Sequence, residues 1–230
     1  GISPSLEGEE MGVNLPGFKK GDRTDIELPA VQRELIDALH RAGKKIILVN
    51  CSGSPIGLEP ETQKCEAILQ AWYPGQQGGK AVAEVLFGDY NPAGKLPVTF
   101  YRNVSQLPDF EDYNMTGRTY RYMQDVPLFP FGYGLSYTTF GYGKTVLDKN
   151  ELTAGQSLKL TVPVTNTGKC NGEEVVQVYL RKQGDAEGPI KTLRAFKRVS
   201  IPAGKTVNVE FDLKDKELEW WDDQSNTVRV

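Results

Sequence analysis

The chain has 230 residues, of which 39% are hydrophobic and 25% are charged, with a net charge of -3 and a single histidine. A usual size of roughly 100–200 residues per domain predicts one or two domains, and the apolar share is too high for a disordered chain. The slight acidic excess argues against nucleic acid as a partner. No apolar run approaches the roughly 18–20 residues of a membrane span, and no signal peptide is visible. One histidine and three scattered cysteines exclude Ser-His-Asp triads, disulfide scaffolds and zinc sites, so carboxylates are the candidate catalytic groups.

The first part of the chain, residues 1–137, alternates segments of helical and strand character. Pro29 opens a helix with Val31, Leu35 and Leu39 at helical spacing, and Gly43 stops it. A buried strand is predicted at 45–50, with further strands at 67–72 and 96–100, and a second helix at 78–87. This alternation predicts a largely parallel sheet that is covered on both faces by helices.

The second part, residues 138–230, has a different pattern. Apolar and polar residues alternate with period two in 158–164 and 207–213, and further strands are predicted at 174–181 and 192–201. Turn signals separate these segments, and no long helical pattern interrupts them, so we expect a β-sandwich. The Gly- and aromatic-rich run 129–137 is the expected linker. The predicted fold class is therefore α/β followed by all-β.

Both ends of the sequence suggest a piece of a longer polypeptide. The α/β part needs strands before Gly1 to complete its sheet, and a strand is starting at 227–230 where the sequence stops. The recognisable β segments fall short of the roughly seven strands of an immunoglobulin-like sandwich. The alternative is a compact small domain with unusual ends.

The run 6–11, Leu-Glu-Gly-Glu-Glu-Met, is the most chemical feature of the sequence. Cleavage of a glycosidic bond needs one carboxylic acid that protonates the leaving oxygen and a second carboxylate that acts as nucleophile or base. A loop glutamate can serve as that acid when its surroundings raise its pKa. Without further information, however, such a run is typical of a solvated surface.

Several other motifs have structural readings that we prefer. Asp22-Arg23 is read as a structural ion pair before a helix capped by Asp22, Thr24 or Asp25. The run 75–80 is read as a tight turn into a helix rather than a phosphate loop, and His40 as a residue near a helix C-terminus. Cys51 and Cys65 are read as small buried hydrophobes. Trp220-Trp221 could stack on a sugar, although packing is the preferred reading.

A family resemblance extends over nearly all of the chain. Its motifs are Ser-Pro-Ser-Leu-Glu-Gly-Glu-Glu-Met at 3–11, Gly-Asp-Arg-Thr-Asp-Ile-Glu-Leu-Pro at 21–29, Ala-Trp-Tyr-Pro-Gly at 71–75, Phe-Gly-Asp-Tyr-Asn-Pro-Ala-Gly-Lys-Leu-Pro at 87–97, and Phe-Pro-Phe-Gly-Tyr-Gly-Leu-Ser-Tyr at 129–137. Further on, Val-Thr-Asn-Thr-Gly at 164–168 and Gly-Glu-Glu-Val-Val-Gln-Val-Tyr at 172–179 match a fibronectin type III-like domain. In order and spacing these motifs resemble the C-terminal portion of glycoside hydrolase family 3, the β-glucosidase and β-xylosidase family.

The resemblance implies which parts of the machinery this chain holds. Family members begin with a barrel that carries an Asp nucleophile, followed by an α/β/α sandwich whose loop supplies the acid/base Glu. The chain resembles the later part of that sandwich plus most of the fibronectin-like domain, and no Asp in it matches the nucleophile motif. Alignment on the family's loop places the acid/base at Glu9, with Glu7 as runner-up and Glu10 third, and Arg23 is assigned a structural role. The implied reaction is retaining hydrolysis of terminal β-linked glucose, or of xylose.

The resemblance also implies partners and compartment. The expected partners are a β-linked oligosaccharide or glucoside and the N-terminal barrel of the same enzyme, with no nucleic acid and no membrane. No metal or organic cofactor is implied, and a periplasmic or secreted location is expected. The alternative function is a non-catalytic carbohydrate-binding or domain-docking module, because sandwich folds serve many functions.

Overall fold

A computed structural model describes residues 12, 16–19, 22–153, 155–222 and 227–229, of which 222 and 227–229 are described by their backbone. By its contacts the chain divides into two compact units. The first comprises Gly1–Phe87 with Leu96–Tyr133, and the second comprises Gly88–Lys95 with Gly134–Val230. The predicted fold class is confirmed, since helices and a parallel strand pair occur in the first unit and antiparallel β-structure dominates the second.

The first unit has short elements around one small core. In chain order they are β1 (Phe18–Lys19), β2 (Asp22–Arg23), α1 (Ala30–Arg41), β3 (Ile47–Asn50), α2 (Glu59–Thr62), β4 (Ala67–Gln70), α3 (Gly78–Phe87), a 3₁₀ turn (Val104–Gln106) and α4 (Thr119–Tyr122). Strands β3 and β4 pair in parallel, and β1 pairs with β2 in antiparallel fashion. The buried core consists of Leu28, Ile36, Ile46, Ile56 and Leu58.

Helix α1 confirms the predicted helix but not the packing that its spacing suggested. Pro29 is the N-cap residue, and Gly43 beyond the C-terminus has φ +66°, a conformation that glycine adopts without strain. Within α1 the buried residue is Ile36, whereas Val31 and Leu35 are 70% and 61% exposed. In the part of the chain that the structure describes, no residue covers the apolar stripe of Val31, Leu35 and Leu39 well enough to bury it.

Two strand predictions in the first unit need correction. The strand predicted at 45–50 is shorter, and it is not buried throughout, because Ile47 is 52% exposed. The segment predicted as a strand at 96–100 forms no extended ladder. Phe100 makes one isolated antiparallel bridge to Phe129, and its side chain is buried. Pro97 lacks an N–H to donate, which weakens a ladder at this position.

The second unit is antiparallel β-structure with alternating burial. Its elements are β5 (Phe140–Tyr142), β6 (Val146–Leu147), β7 (Leu158–Asn166), β8 (Gly172–Leu180), β9 (Thr192–Ile201), β10 (Thr206–Leu213), α5 (Asp215–Leu218), β11 (Trp220–Asp222) and β12 (Thr227–Arg229). One sheet has β7 between β10 and β5, with β6 also paired to β7, and the pairs β8–β9 and β11–β12 complete the unit. The core comprises Val162, Val164, Val176, Val178, Ile201, Val209, Phe211 and Leu213. The period-two pattern at 158–164 and 207–213 thus predicted β7 and β10 and their inward faces.

The segment Gly88–Lys95 belongs to the second unit. The side-chain amide of Asn91 donates to the carbonyl of Asn171 (3.0 Å) and accepts from Ser136 Oγ (2.9 Å). Lys95 Nζ lies 3.2 Å from Glu174 Oε2 and donates to the carbonyl of Gly134 (2.9 Å). Residues that precede the linker by forty positions therefore help to build the β unit.

Candidate active site

The predicted acid/base candidates, Glu9, Glu7 and the third choice Glu10, lie outside the described residues. The geometry of the candidate site therefore starts where the chain leaves the Glu-rich run. We call residues 16–27 the stem, since they connect that run to helix α1.

The stem begins with a turn and a short hairpin. Phe18 pairs with Arg23 and Lys19 pairs with Asp22, and the amide of Thr24 donates to the carbonyl of Gly17 (2.7 Å). Gly17 has φ +86°, and a Cβ at this position would lie 2.7 Å from Asp25 Oδ2. The turn therefore requires glycine, both for its backbone conformation and for space.

Arg23 ties the hairpin to the end of the stem. Its Nη2 donates to the carbonyl of Glu27 (2.6 Å) and lies 3.5 Å from Asp25 Oδ1, and its guanidinium is 5.9 Å from the centre of the Phe18 ring. The amide of Glu27 in turn donates to Asp25 Oδ1 (3.0 Å). The prediction of a cap was wrong: Pro29 is the N-cap and no side chain caps α1, so Asp25 orders the stem instead.

A charged cluster joins the stem to the α/β core. Arg33 Nη2 lies 2.5 Å from Glu27 Oε2, and Arg33 Nε donates to Glu61 Oε1 (2.9 Å). The same Nη2 donates to the carbonyl of Gly57 (2.8 Å). Glu61 is fully buried, so the guanidinium compensates a carboxylate that has no access to water. Burial alone would lower the pKa of Arg33, but the hydrogen bonds that Arg33 donates to Glu61 and Glu27, together with their negative charges, outweigh it and the pKa is raised.

Gly57 lets the stem approach this cluster closely. Glu27 and Gly57 form a parallel bridge, in which the amide of Gly57 donates to the carbonyl of Ile26 (2.7 Å). A Cβ on Gly57 would lie 2.9 Å from Glu27 Oε1 and 3.1 Å from the carbonyl oxygen of Arg102. A larger residue at position 57 would therefore crowd both the Glu27 carboxylate and the backbone of Arg102.

A polar cluster occupies the carboxyl ends of β3 and β4. The amide nitrogen of buried Asn50 donates to Gln70 Oε1 (2.6 Å) and to Ser52 Oγ (2.9 Å), and Ser52 Oγ donates to the carbonyl of Ser54 (2.8 Å). Within the described part of the chain, Asn50 Oδ1 is buried and has no hydrogen-bond partner. Sequence reasoning missed this cluster and the Arg33–Glu61 pair. Asn50 could have been found, because a polar residue that ends a parallel strand lies at the edge where α/β proteins place their sites.

Most of the remaining sequence motifs take structural positions. Gly75 has φ +50°, and the amide of Gly78 at the start of α3 donates to its carbonyl, which confirms a tight turn into a helix. His40 is in the last turn of α1. Cys51 and Cys65 are only partly buried, contrary to prediction, and burial is the main cause that raises the pKa of Cys65.

The adjacent tryptophans of β11 differ in environment. The ring of Trp220 has the Arg194 guanidinium 4.6 Å from its centre, whereas Trp221 is 57% exposed. A cation over an indole face is a stabilising packing contact. The structural reading therefore holds for Trp220, while the ring of Trp221 is accessible.

In the described ranges, no group of three or more His, Cys, Asp or Glu side chains could hold a metal ion. No helix there has both the length and the apolar character needed to cross a membrane.

Comparison with family models gives two matches. The model of the glycosyl hydrolase family 3 C-terminal domain matches residues 1–137, and that of a fibronectin type III-like domain matches residues 174–230. The first of these covers more than half of the chain and includes the Glu-rich run and the stem.

Curated relatives are longer than this chain. A xylan 1,4-β-xylosidase of Xylanibacter ruminicola is 61% identical over all 230 residues, which make up 26% of that protein. A periplasmic β-glucosidase of Salmonella typhimurium is 39% identical over 96% of the chain, again only 30% of its own length. The chain thus spans between a quarter and a third of these relatives.

Solved structures agree with the sequence matches. A β-glucosidase from Erythrobacter marinus superimposes with a TM-score of 0.82 at 40% identity, covering 98% of this chain and 30% of that one. A β-glucosidase from Listeria innocua in complex with glucose gives a TM-score of 0.79 at 29% identity, over 96% of this chain and 32% of that one.

Proposed function

The chain belongs to glycoside hydrolase family 3, and from that premise we propose that it supplies the general acid/base glutamate of a retaining β-glycosidase. The nucleophile, an Asp, is proposed to lie on a barrel domain outside these 230 residues. The proposed substrates are terminal β-linked glucosides and xylosides, since the relatives are named for both. The observation that carries the proposal is the 61% identity to a xylosidase over the entire chain.

Two proton transfers define the role of Glu9. In the first step the Asp attacks the anomeric carbon, the glycosidic bond breaks, and protonated Glu9 gives its proton to the departing oxygen. In the second step the Glu9 carboxylate takes a proton from water, whose oxygen attacks the anomeric carbon and releases the Asp. Two inversions return the β configuration, and the acid/base ends the cycle protonated again.

The arginines in and next to the stem form ion pairs with nearby carboxylates. In the stem and its surroundings, Arg23 contacts Asp25, and Arg33 contacts both Glu27 and Glu61. These cations are therefore already engaged by acidic partners.

The proposal is tested in a chimera. This chain replaces the matching region of the Xylanibacter ruminicola xylosidase, which retains its own N-terminal part. We expect the chimera to hydrolyse β-xylosides, and we expect Glu9→Gln to lower kcat on xylo-oligosaccharides by about 10²–10⁴-fold, the usual contribution of a general acid. Aryl glycosides with good leaving groups need little protonation, so their glycosylation step should slow much less.

Neighbouring glutamates provide matched controls. Glu7→Gln and Glu10→Gln change the same functional group within the same run, and we expect smaller and leaving-group-independent effects. Full activity of Glu9→Gln on oligosaccharides, together with inactivity of Glu7→Gln, would transfer the role to Glu7. Loss of hydrolysis in none of the three variants would contradict the proposed function.

A further inference from the structure

Glu27 is the residue at which the stem joins the α/β core, and its backbone is bound on three sides. It forms the parallel bridge to Gly57, its carbonyl accepts from Arg23, and its amide donates to Asp25 Oδ1. Arg23 reaches back to the hairpin through the Phe18 ring and the β1–β2 pairing. Movement of Glu27 is therefore transmitted to the hairpin, and the hairpin follows the Glu-rich run in the chain.

The carboxylate of Glu27 is held by a cation that is itself fixed. Arg33 contacts Glu27 Oε2 at 2.5 Å, and both side chains are about three-quarters buried at 24% exposure. Arg33 is oriented from another side by the fully buried Glu61 and by the carbonyl of Gly57. A planar guanidinium bound to several acceptors has little freedom to follow a displaced partner. The Glu27–Arg33 pair thus anchors the stem to helices α1 and α2.

We propose that Glu27 is a positioning residue for the acid/base glutamate, acting through its ion pair with Arg33. The inference deepens the proposed function and rests on it. Proton transfer requires the acid within hydrogen-bonding reach of the leaving oxygen, and a displacement of about 1 Å can cost up to about 10²-fold in rate.

Glu27→Gln tests the proposal with little risk to folding. It keeps the size of the side chain and leaves Arg33 bound to Glu61 and Gly57, so the buried carboxylate stays compensated. Glu34→Gln is the matched control, because Glu34 lies on the exposed side of the same helix beside Arg33. Both variants are made in the chimera described above, next to Glu9→Gln.

The expected kinetic result is selective. Glu27→Gln should lower kcat on xylo-oligosaccharides about tenfold, less than loss of the acid itself. It should leave KM on these oligosaccharides within about twofold and barely affect kcat/KM for glycosides with good leaving groups, since that ratio reports the glycosylation step. A purely structural role would instead slow all substrates equally and lower the melting temperature. Glu34→Gln should match the parent in every assay.

Amide hydrogen exchange, measured on the 230-residue chain outside the chimera, supplies a readout that does not depend on activity. Glu27→Gln should raise the exchange rates of the amides of Thr24 and Glu27, which donate within the stem, while amides in β3 and β4 keep their protection. The inference is overturned if Glu27→Gln behaves like Glu34→Gln in both exchange and leaving-group dependence while Glu9→Gln is inactive. If Glu9→Gln is active and Glu7→Gln is not, the same selective loss in Glu27→Gln supports positioning of Glu7. Failure of the Glu9 assignment can therefore be told apart from failure of the positioning role of Glu27.

Discussion

Glu61 is a carboxylate with no exposed surface, and its pair with Arg33 determines whether that burial is tolerated. Desolvating an ion costs several kcal/mol, and only a well-placed opposite charge offsets that cost. Arg33 meets this condition with two nitrogens directed at Glu61, at 2.9 and 3.3 Å. The pair therefore matters to stability mainly through what happens when one member is removed.

We expect Arg33→Met to destabilise the chain by about 3–5 kcal/mol, because it leaves a buried charge without a partner. Adding Glu61→Leu to Arg33→Met should recover most of that loss. Arg102→Met is the control, since Arg102 and Glu59 pair at 2.6 Å but are 38% and 39% exposed, and such pairs contribute about 1 kcal/mol or less. Urea unfolding measures all three. Equal destabilisation by Arg33→Met and Arg102→Met would contradict this account of Glu61.

The residues of this cluster show where sequence reasoning ends. Glu61 stands in the run Glu-Pro-Glu, which is typical of an exposed helix start, and nothing local marks it as buried. Its burial depends on Arg33, which lies 28 positions earlier in the sequence. A pairing that distant is decided by tertiary packing. The pairing of Asn50 with Gln70 is likewise set by tertiary packing. The Glu-rich run was visible in the sequence, whereas the choice of Glu9 within it came from a family resemblance.

Secondary structure could be predicted where the chain repeats a period. Strands β7 and β10 alternate apolar and polar residues, and these two strands and the predicted β8 and β9 were all confirmed. Helix α3 was confirmed over 78–87 as predicted. The false strand at 96–100 had apolar content without a partner nearby in sequence, and its one bridge is formed with Phe129. Periodicity identifies the apolar face of a helix or strand, but it does not show whether another element packs on that face. The exposed Val31 and Leu35 of α1 are an example.

A largely buried ionic cluster joins the segment Gly88–Lys95 to strand β8. Glu174 receives Lys95 Nζ at one oxygen (3.2 Å) and the hydroxyl of Tyr142 at the other (2.9 Å). The two charged side chains are only 15% and 10% exposed. Burial, followed by the charge of Glu174 and the hydrogen bond to it, raises the pKa of Tyr142. Folding therefore favours the protonated phenol, and this stabilisation is present below about pH 10 and is lost as the pH rises through the folded-state value.

A double-mutant cycle on Lys95→Met and Glu174→Gln should give a coupling of about 0.5–3 kcal/mol, because buried partners are not additive. The exposed cross-strand pair Lys159–Glu210 is the control, and its coupling should be about 1 kcal/mol or less. Glu174→Gln should also lower the pKa of Tyr142 toward its ordinary value, as followed by the ultraviolet absorbance of the phenolate. Additive effects of the Lys95 and Glu174 substitutions would show that the segment is not held by this pair.

The whole molecule consists of two units that the chain enters alternately. Amino-acid composition argued against nucleic-acid binding and against His-based catalysis. The enzyme class came from the family resemblance, which the family match over residues 1–137 confirmed. The position of a general acid could not be derived physically from this sequence. A glutamate becomes an acid through the groups around it, and in the proposed enzyme those groups belong largely to the substrate and to a barrel domain.

The central claim is that Glu9 is the acid/base of a retaining reaction, and azide rescue tests it most directly. In the Glu9→Gln chimera the glycosyl-enzyme accumulates with an activated substrate, because glutamine cannot deprotonate water. Azide needs no base and should attack the anomeric carbon from the face opposite the Asp. We predict faster turnover with azide and a β-glycosyl azide identified by nuclear magnetic resonance, neither of which occurs in the Glu10→Gln chimera. An α-glycosyl azide, or rescue in Glu7→Gln but not in Glu9→Gln, would contradict the claim.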